Sequence, residues 1–352
     1  MKITIRPLLT FAAAALALSQ IATAQQAAPD PQMKAVLDEL VALGGKPIET
    51  LSPEEARQQP SPADAVMALM KKRDLKGPEP VGRVDNLKVK LGGGHKIDVR
   101  IYTPKGDGPF PVILYVHGGG WVIADLDTYD SSPRALCNAT QAVVVSTHYR
   151  QAPENKFPAA HEDVFGIYQW VLENEDKRNY DAKRLAVVGE SAGGNMAAAI
   201  SLMAREKGIA LPVYQVLVYP VANPTDLNSP SYVENAAAKP LNKPTMAWFA
   251  KHTLAKPEDG LDTRLSLVLA GAALKAMPPT TIILAQIDPL RSDGELLAKL
   301  LQDAGVKVKL KTFEGVAHEF FGMGAVVDKA KEAQLFAAAD LRAAFTAPPT
   351  AP

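Results

Sequence analysis

The segment Gly189-Glu190-Ser191-Ala192-Gly193 gives one serine the neighbours that nucleophilic chemistry needs. It follows a strand candidate, Arg184 to Val188, and precedes a helix-like pattern. A sharp strand-to-helix turn would lift the Ser191 hydroxyl above a sheet edge, and glycines two positions either side remove β-carbons that would collide in so tight a turn. Gly194 extends the small-residue run and lets the helix approach the sheet. The alternative is a serine that merely caps a helix N-terminus. A second motif, His117-Gly118-Gly119-Gly120-Trp121, directly follows the apolar run Val112 to Val116. Residues without side chains can turn their amide protons toward an adjacent anion, and the tetrahedral intermediate of acyl transfer develops one. Gly119, Gly120 and Ala192 are the expected oxyanion donors. The run Gly92-Gly93-Gly94 reads as a plain turn, because it neither ends a buried strand nor has a serine turn paired with it.

A serine hydroxyl is a poor nucleophile near neutral pH and needs a base within hydrogen-bond reach. The chain has six histidines: His95, His117, His148, His161, His252 and His318. Of these, His318 follows a late strand pattern, in Glu314-Gly315-Val316-Ala317-His318-Glu319-Phe320, where a base can hang over the C-terminal edge of a sheet. The base needs an acid that fixes its tautomer and stabilises the imidazolium. Asp288 follows the strand candidate Thr280 to Ala285 and fits that role; Asp293, five positions on, is the competitor and can instead cap a helix. The order Ser191, Asp288, His318 is the chain order of an α/β-hydrolase arrangement.

These residues need a sheet to carry them. Leu87 to Leu91 and Ile97 to Thr103 alternate like paired strands. Further strands are expected over Val112 to Val116, Ala142 to Thr147, Arg184 to Val188, Val213 to Tyr219, Thr280 to Ala285 and Val306 to Thr312. Helices are expected between them, near Ser132 to Asn138, Ala159 to Glu173, Ala192 to Lys207, Ser292 to Ala304 and Lys329 to Ala344. Continuous Val/Ile/Leu runs separated by helices predict a mostly parallel sheet covered on both faces. Upstream, Met33 to Leu43 and Ser61 to Lys72 read as two short amphipathic helices in a proline-punctuated segment. Ala222 to Leu269 is longer than an ordinary connection and suggests a cap, with Met246, Trp248 and Phe249 in a helical stretch. The expected organisation is a signal peptide at 1–24, leader and cap helices at 25–86, a core at 87–221 and 270–346, and a cap insertion at 222–269.

The 352 residues are 47% apolar, enough for one large α/β domain. Lys+Arg 38 balances Asp+Glu 38, so the basic surplus of a nucleic-acid binder is missing. Lys2 and Arg6, the apolar stretch Leu8 to Leu18 and the small residues Ala22-Thr23-Ala24 form an export-signal pattern, with the mature chain starting near Gln25 in the periplasm or outside the cell. That apolar stretch is far below the roughly 20 residues that span a bilayer. Cys137 stands alone, so it cannot form an intrachain disulfide and reads as a small buried hydrophobe.

On His117 to Trp121, Tyr149-Arg150-Gln151-Ala152-Pro153-Glu154, Gly189 to Gly194, Asp288-Pro289-Leu290 and His318, the chain resembles the hormone-sensitive lipase-like α/β-hydrolases, bacterial esterases that carry HGGG. The resemblance runs roughly from Leu87 to Ala344. It implies an α/β-hydrolase fold with a helical cap and hydrolysis of short to medium acyl esters without any cofactor. A metal hydrolase is disfavoured because the sequence has no HExxH motif and its six histidines are scattered. Expected partners are a small-molecule ester, with no nucleic acid and no stable membrane anchor; a homodimer stays open. Trp121, Trp248 and Phe249 are the expected pocket walls, with core packing an equal account of the aromatics. Three departures stand out: Glu190 where aspartate is frequent, His148 before Tyr149 where an acidic residue is often found, and Glu319 where glycine is common. A carboxylate beside His318 is expected to raise its pKa. A non-catalytic binding relative and an amidase using the same residues are the rival functions.

Overall fold

The computed structural model describes residues 26–347, so the expected leader at 1–24 lies outside the described residues. Among the described residues, eight strands form one sheet: β1 (Arg83–Lys90), β2 (Lys96–Thr103), β3 (Phe110–Val116), β4 (Val143–Thr147), β5 (Tyr180–Glu190), β6 (Tyr214–Val218), β7 (Thr280–Ile287) and β8 (Val308–Ala317). Their spatial order is β1-β2-β4-β3-β5-β6-β7-β8. The first two strands pair antiparallel around the glycine turn, and β2 pairs antiparallel with β4. From β4 onward all pairings are parallel.

The helices are α1 (Pro31–Ala42), α2 (Pro53–Ala56), α3 (Pro62–Lys72), α4 (Ser131–Thr140), α5 (Ala159–Glu173), α6 (Glu175–Arg178), α7 (Ala192–Glu206), α8 (Pro230–Glu234), α9 (Lys243–Thr253), α10 (Arg291–Asp303) and α11 (Asp328–Thr346). None of the described helices is long and apolar enough to cross a membrane.

Strand β3 shows why a continuous apolar run was needed. Val112, Leu114 and Val116 join the core formed with α5 and α7, through Val164, Tyr168, Met196 and Ile200. Ile113 and Tyr115 point the other way, into the core formed with α4 and α11, through Leu136, Ala337 and Leu341. Successive side chains on a strand face opposite sides, so a strand buried on both faces takes apolar residues at nearly every position and a polar one only where it finds a partner, as Thr281 does with Asp340. Each of these aliphatic side chains contributes about 1.5–3 kcal/mol by leaving water.

Strands β5 and β8 run furthest past the amino or carboxyl ends expected of them. β5 starts at Tyr180, because Phe110 pairs with Tyr180 ahead of a register shift. β8 continues past Thr312 to Ala317, where Gly315 adopts φ +68 and the Gln286 side chain accepts its amide at 2.7 Å. A second register shift, between Ala285 and Ile287, brings Ile287 opposite Ala317. The strand therefore delivers His318 directly from its last residue.

The segment before β1 and the one between β6 and β7 meet over the carboxyl edge of the sheet. Helix α1 starts with Asp30 accepting from the Met33 amide at 2.8 Å, and α3 with a reciprocal Ser61–Asp64 capping box. Arg57 anchors this segment to the loops that follow β3 and β4: its Nε donates to the Val122 carbonyl and its guanidinium pairs with Glu154 at 2.7 Å. Trp248 of α9 donates its indole N–H to the Leu51 carbonyl at 3.1 Å.

Candidate active site

Ser191 sits at the carboxyl end of β5 with φ 58 and ψ −120, a conformation that L-residues rarely adopt. Such a conformation costs on the order of 1–3 kcal/mol and persists only when the surroundings enforce it. The Ser191 amide donates to the Val218 carbonyl at 2.9 Å, and its own carbonyl accepts from Asn195 at 3.1 Å. A β-carbon on Gly193 would stand 2.0 Å from the Val116 carbonyl oxygen, so only glycine lets α7 start this close to β3.

Asp288 follows β7 and His318 follows β8, so three strand ends bring the side chains together. His318 Nε2 is 3.0 Å from Ser191 Oγ, and His318 Nδ1 is 2.7 Å from Asp288 Oδ2. A carboxylate can only accept from Nδ1–H, which leaves Nε2 unprotonated to accept the serine proton. Asp288 is held by its other oxygen, which accepts the Leu290 amide at 2.8 Å. All three side chains are nearly inaccessible to water. Burial by itself would lower the His318 pKa, but the Asp288 charge and hydrogen bond, helped by Glu319 and Glu190, carry it above the ordinary histidine value.

The loop after β3 faces the same hydroxyl. Gly119 and Gly120 adopt φ +94 and +57, and among the described residues neither amide meets a backbone acceptor. Ala192 is the first residue of α7, where an amide has no partner within the helix. Behind the loop, His117 Nδ1 lies 2.8 Å from the Gly118 carbonyl and Nε2 lies 2.9 Å from His148 Nδ1. Burial, reinforced by His148, pushes the His117 pKa down to about 3, so the ring is neutral and fixed in one tautomer. Tyr149 also donates to the Gly118 carbonyl at 2.8 Å.

The remaining histidines have other partners. His95 meets the buried Asp163 at 2.7 Å, beside Arg150. His161 meets Asn195 Oδ1 at 2.8 Å, and His252 packs edge-on against Trp248. Asp293 is engaged elsewhere: its Oδ2 accepts the amides of Ala222 and Asn223 at 3.0 and 2.8 Å and pins the start of the β6–β7 segment. Burial pushes the Asp293 pKa up to about 7. Cys137 is buried against the Tyr102 carbonyl, and burial pushes its thiol up to about 12.

A cavity of about 390 Å³ opens above Ser191, walled by Gly119, Gly120, His318, Glu319 and Phe249 among others. Of the three aromatic walls expected, Phe249 is in place and the two tryptophans are not. Trp248 is turned away to reach Leu51, its ring edge-on to Phe249. Trp121 adopts φ 63 and buries its ring against His161 on the α5/α7 side. The aromatic type was right for burial, but the backbone turn at residue 121 sends the ring into the core.

The sequence reading did not anticipate a buried network beside the site. Glu190 accepts hydrogen bonds from Tyr115 at 2.5 Å and from Tyr219. Tyr129 donates to Glu319 at 2.6 Å. Burial, then the Glu319 charge, pushes the Glu190 pKa up to about 7 against the pull of its hydroxyl donors. Only the two glutamates left a signal, as departures from the family pattern.

Residues 113–322 match the family described as alpha/beta hydrolase fold. An ethyl acetate hydrolase from Pseudomonas putida is 34% identical over 290 residues, 81% of this chain and 88% of that protein. The carboxylesterase NlhH of Mycobacterium tuberculosis is 39% identical, over 77% of this chain and 87% of its own length. The chain belongs to the hormone-sensitive lipase-like α/β-hydrolases. A solved hyperthermophilic esterase from Pyrobaculum calidifontis superposes with a TM-score of 0.81 at 35% identity, covering 91% of this chain and all of that one. This α/β-hydrolase is a carboxylic ester hydrolase.

Proposed function

We propose that the chain is a serine carboxylesterase for short to medium acyl esters, with Ser191 as nucleophile, His318 as base and Asp288 as the acid that orients it. The observation that carries this reading is the unbroken hydrogen-bonded line from Ser191 Oγ through His318 to Asp288 at the floor of a cavity. Ser191 Oγ attacks the ester carbonyl as His318 Nε2 takes its proton. The carbonyl oxygen becomes an oxyanion against the amides of Gly119, Gly120 and Ala192, worth on the order of 10²–10³ in rate for each donor. The tetrahedral intermediate collapses, the carbon–oxygen bond to the alcohol breaks, and His318 returns its proton to that oxygen. Water then repeats the sequence on the acyl-serine and releases the acid.

A cavity near 390 Å³ with Leu37, Leu40 and Val41 of α1 along it suits an apolar acyl group of modest length. The segments 25–86 and 222–269 act as the cap over it. In this reading the first 24 residues export the protein to the periplasm or medium, which N-terminal sequencing of the mature chain tests: a start near Gln25 supports it and a retained Met1 overturns it. A homodimer is read directly from sedimentation of the purified chain. The functional test is a chain-length series of p-nitrophenyl esters on wild type and Ser191→Ala. A loss of at least about 10³-fold is expected, and wild-type rates in the variant overturn the assignment.

A further inference from the structure

Glu319 occupies a position that should repel it. Its backbone has φ 69 and ψ 1, the left-handed region that favours glycine, and its side chain, 21% exposed, turns into the wall of the cavity. There Oε1 accepts the Tyr129 hydroxyl at 2.6 Å and lies 3.8 Å from His318 Nε2. Asp288 already serves Nδ1 on the other side of the ring. A carboxylate placed on each ring nitrogen's side favours the imidazolium from both directions. Only the Nε2 side carries a proton that must leave again during turnover.

We propose that Glu319 is a positioning residue for His318, whose carboxylate, fixed by Tyr129, stabilises the imidazolium from the Nε2 side while the proton waits for the leaving alcohol. Proton transfer itself stays between Ser191 Oγ, His318 Nε2 and the departing oxygen; Glu319 gains no proton and forms no bond to substrate. The separation of 3.8 Å is long enough to leave Nε2 free to face Ser191 at 3.0 Å. The other charged and titratable groups around the pair are Asp288 after β7, Glu190 at the end of β5, Tyr115 on β3, Tyr219 after β6 with its ring 4.5 Å from that of His318, and Tyr129 before α4. Glu190 is satisfied by Tyr115 and Tyr219, so Glu319 alone among the two glutamates approaches the ring nitrogen. Burial raises the Glu319 pKa, and the facing His318 charge pulls it back.

The proposal rests on Ser191 and His318 acting as described above. The test is kcat/KM against pH for p-nitrophenyl acetate, in wild type, Glu319→Gln, Glu319→Gly and Ser191→Ala. Glutamine keeps the size and an acceptor for Tyr129 without the charge; glycine relaxes the backbone, so at least one variant should fold. With the carboxylate gone the imidazolium is less favoured, so the acidic limb should move to lower pH by about one unit. The alkaline plateau should fall at the same time, giving profiles that cross the wild type. A uniform loss across pH, or limbs that superimpose on wild type, overturns the proposal. Turnover surviving in Ser191→Ala instead brings down the reading of the site, which separates the two failures.

Discussion

Asp288→Asn should be more damaging than its near-identical shape suggests. Asp288 has two jobs: Oδ1 accepts the Leu290 amide at 2.8 Å, and Oδ2 accepts His318 Nδ1–H at 2.7 Å. Asparagine has one acceptor oxygen and one NH₂ donor. The Leu290 amide is a fixed buried donor, so the oxygen must stay with it and the NH₂ must face Nδ1. His318 then pairs by accepting at Nδ1 and carrying its proton on Nε2, where it can no longer take one from Ser191. An oriented base in the wrong tautomer costs about 10⁴ in kcat where the same swap has been made in other triads. Asp288→Ala removes the forced tautomer, so it should retain more activity than Asp288→Asn. The assay is kcat for p-nitrophenyl acetate on both variants, with thermal unfolding to establish that each is folded. An Asp288→Asn enzyme within tenfold of wild type, or one more active than Asp288→Ala, would refute the tautomer argument.

Gly193→Val should prevent the serine turn from forming, because its β-carbon would meet the Val116 carbonyl oxygen at 2.0 Å; a loss of about 3 kcal/mol or more in urea unfolding is expected, and a fully stable, active variant would contradict the close approach. His161 is neutral in the fold, where burial lowers its pKa to about 4. Between pH 6.5 and 4 the unfolded chain therefore binds the proton and the native state does not, so this residue's contribution to stability falls as pH falls. The unfolding free energy of wild type relative to His161→Gln should drop by about 1.4 kcal/mol for each pH unit in that window. A pH-independent difference would show that His161 is already charged in the fold.

Much of the fold was legible because burial on two faces leaves a mark in one dimension. Val112 to Val116 is apolar almost throughout, and Ile282 to Ala285 is apolar after two buried threonines; both lie in central parallel strands. The candidate triad could be read for a related reason: Ser191 and Asp288 follow mainly apolar strands and His318 follows the alternating strand β8, so their strand ends define where they meet. Where register shifts and side-chain anchors set the answer, the sequence was silent. The extension of β8 depends on Gly315 and Gln286, whose pairing joins two strands and has no local pattern. Trp121 and Trp248 failed as pocket walls because ring direction depends on a positive φ and on a carbonyl 197 positions away. Tyr129 left no mark at all, since its role comes from a contact across 190 positions with Glu319.

The central claim is that the hydroxyl of Ser191 forms a covalent bond during turnover. Incubating the protein with a p-nitrophenyl alkylphosphonate and mapping the adduct by peptide mass spectrometry tests this directly. One phosphonyl group on residue 191, formed in step with loss of esterase activity and absent from Ser191→Ala, is the predicted result. Activity lost with the label on another residue, or an unlabelled and fully inhibited enzyme, would contradict the account.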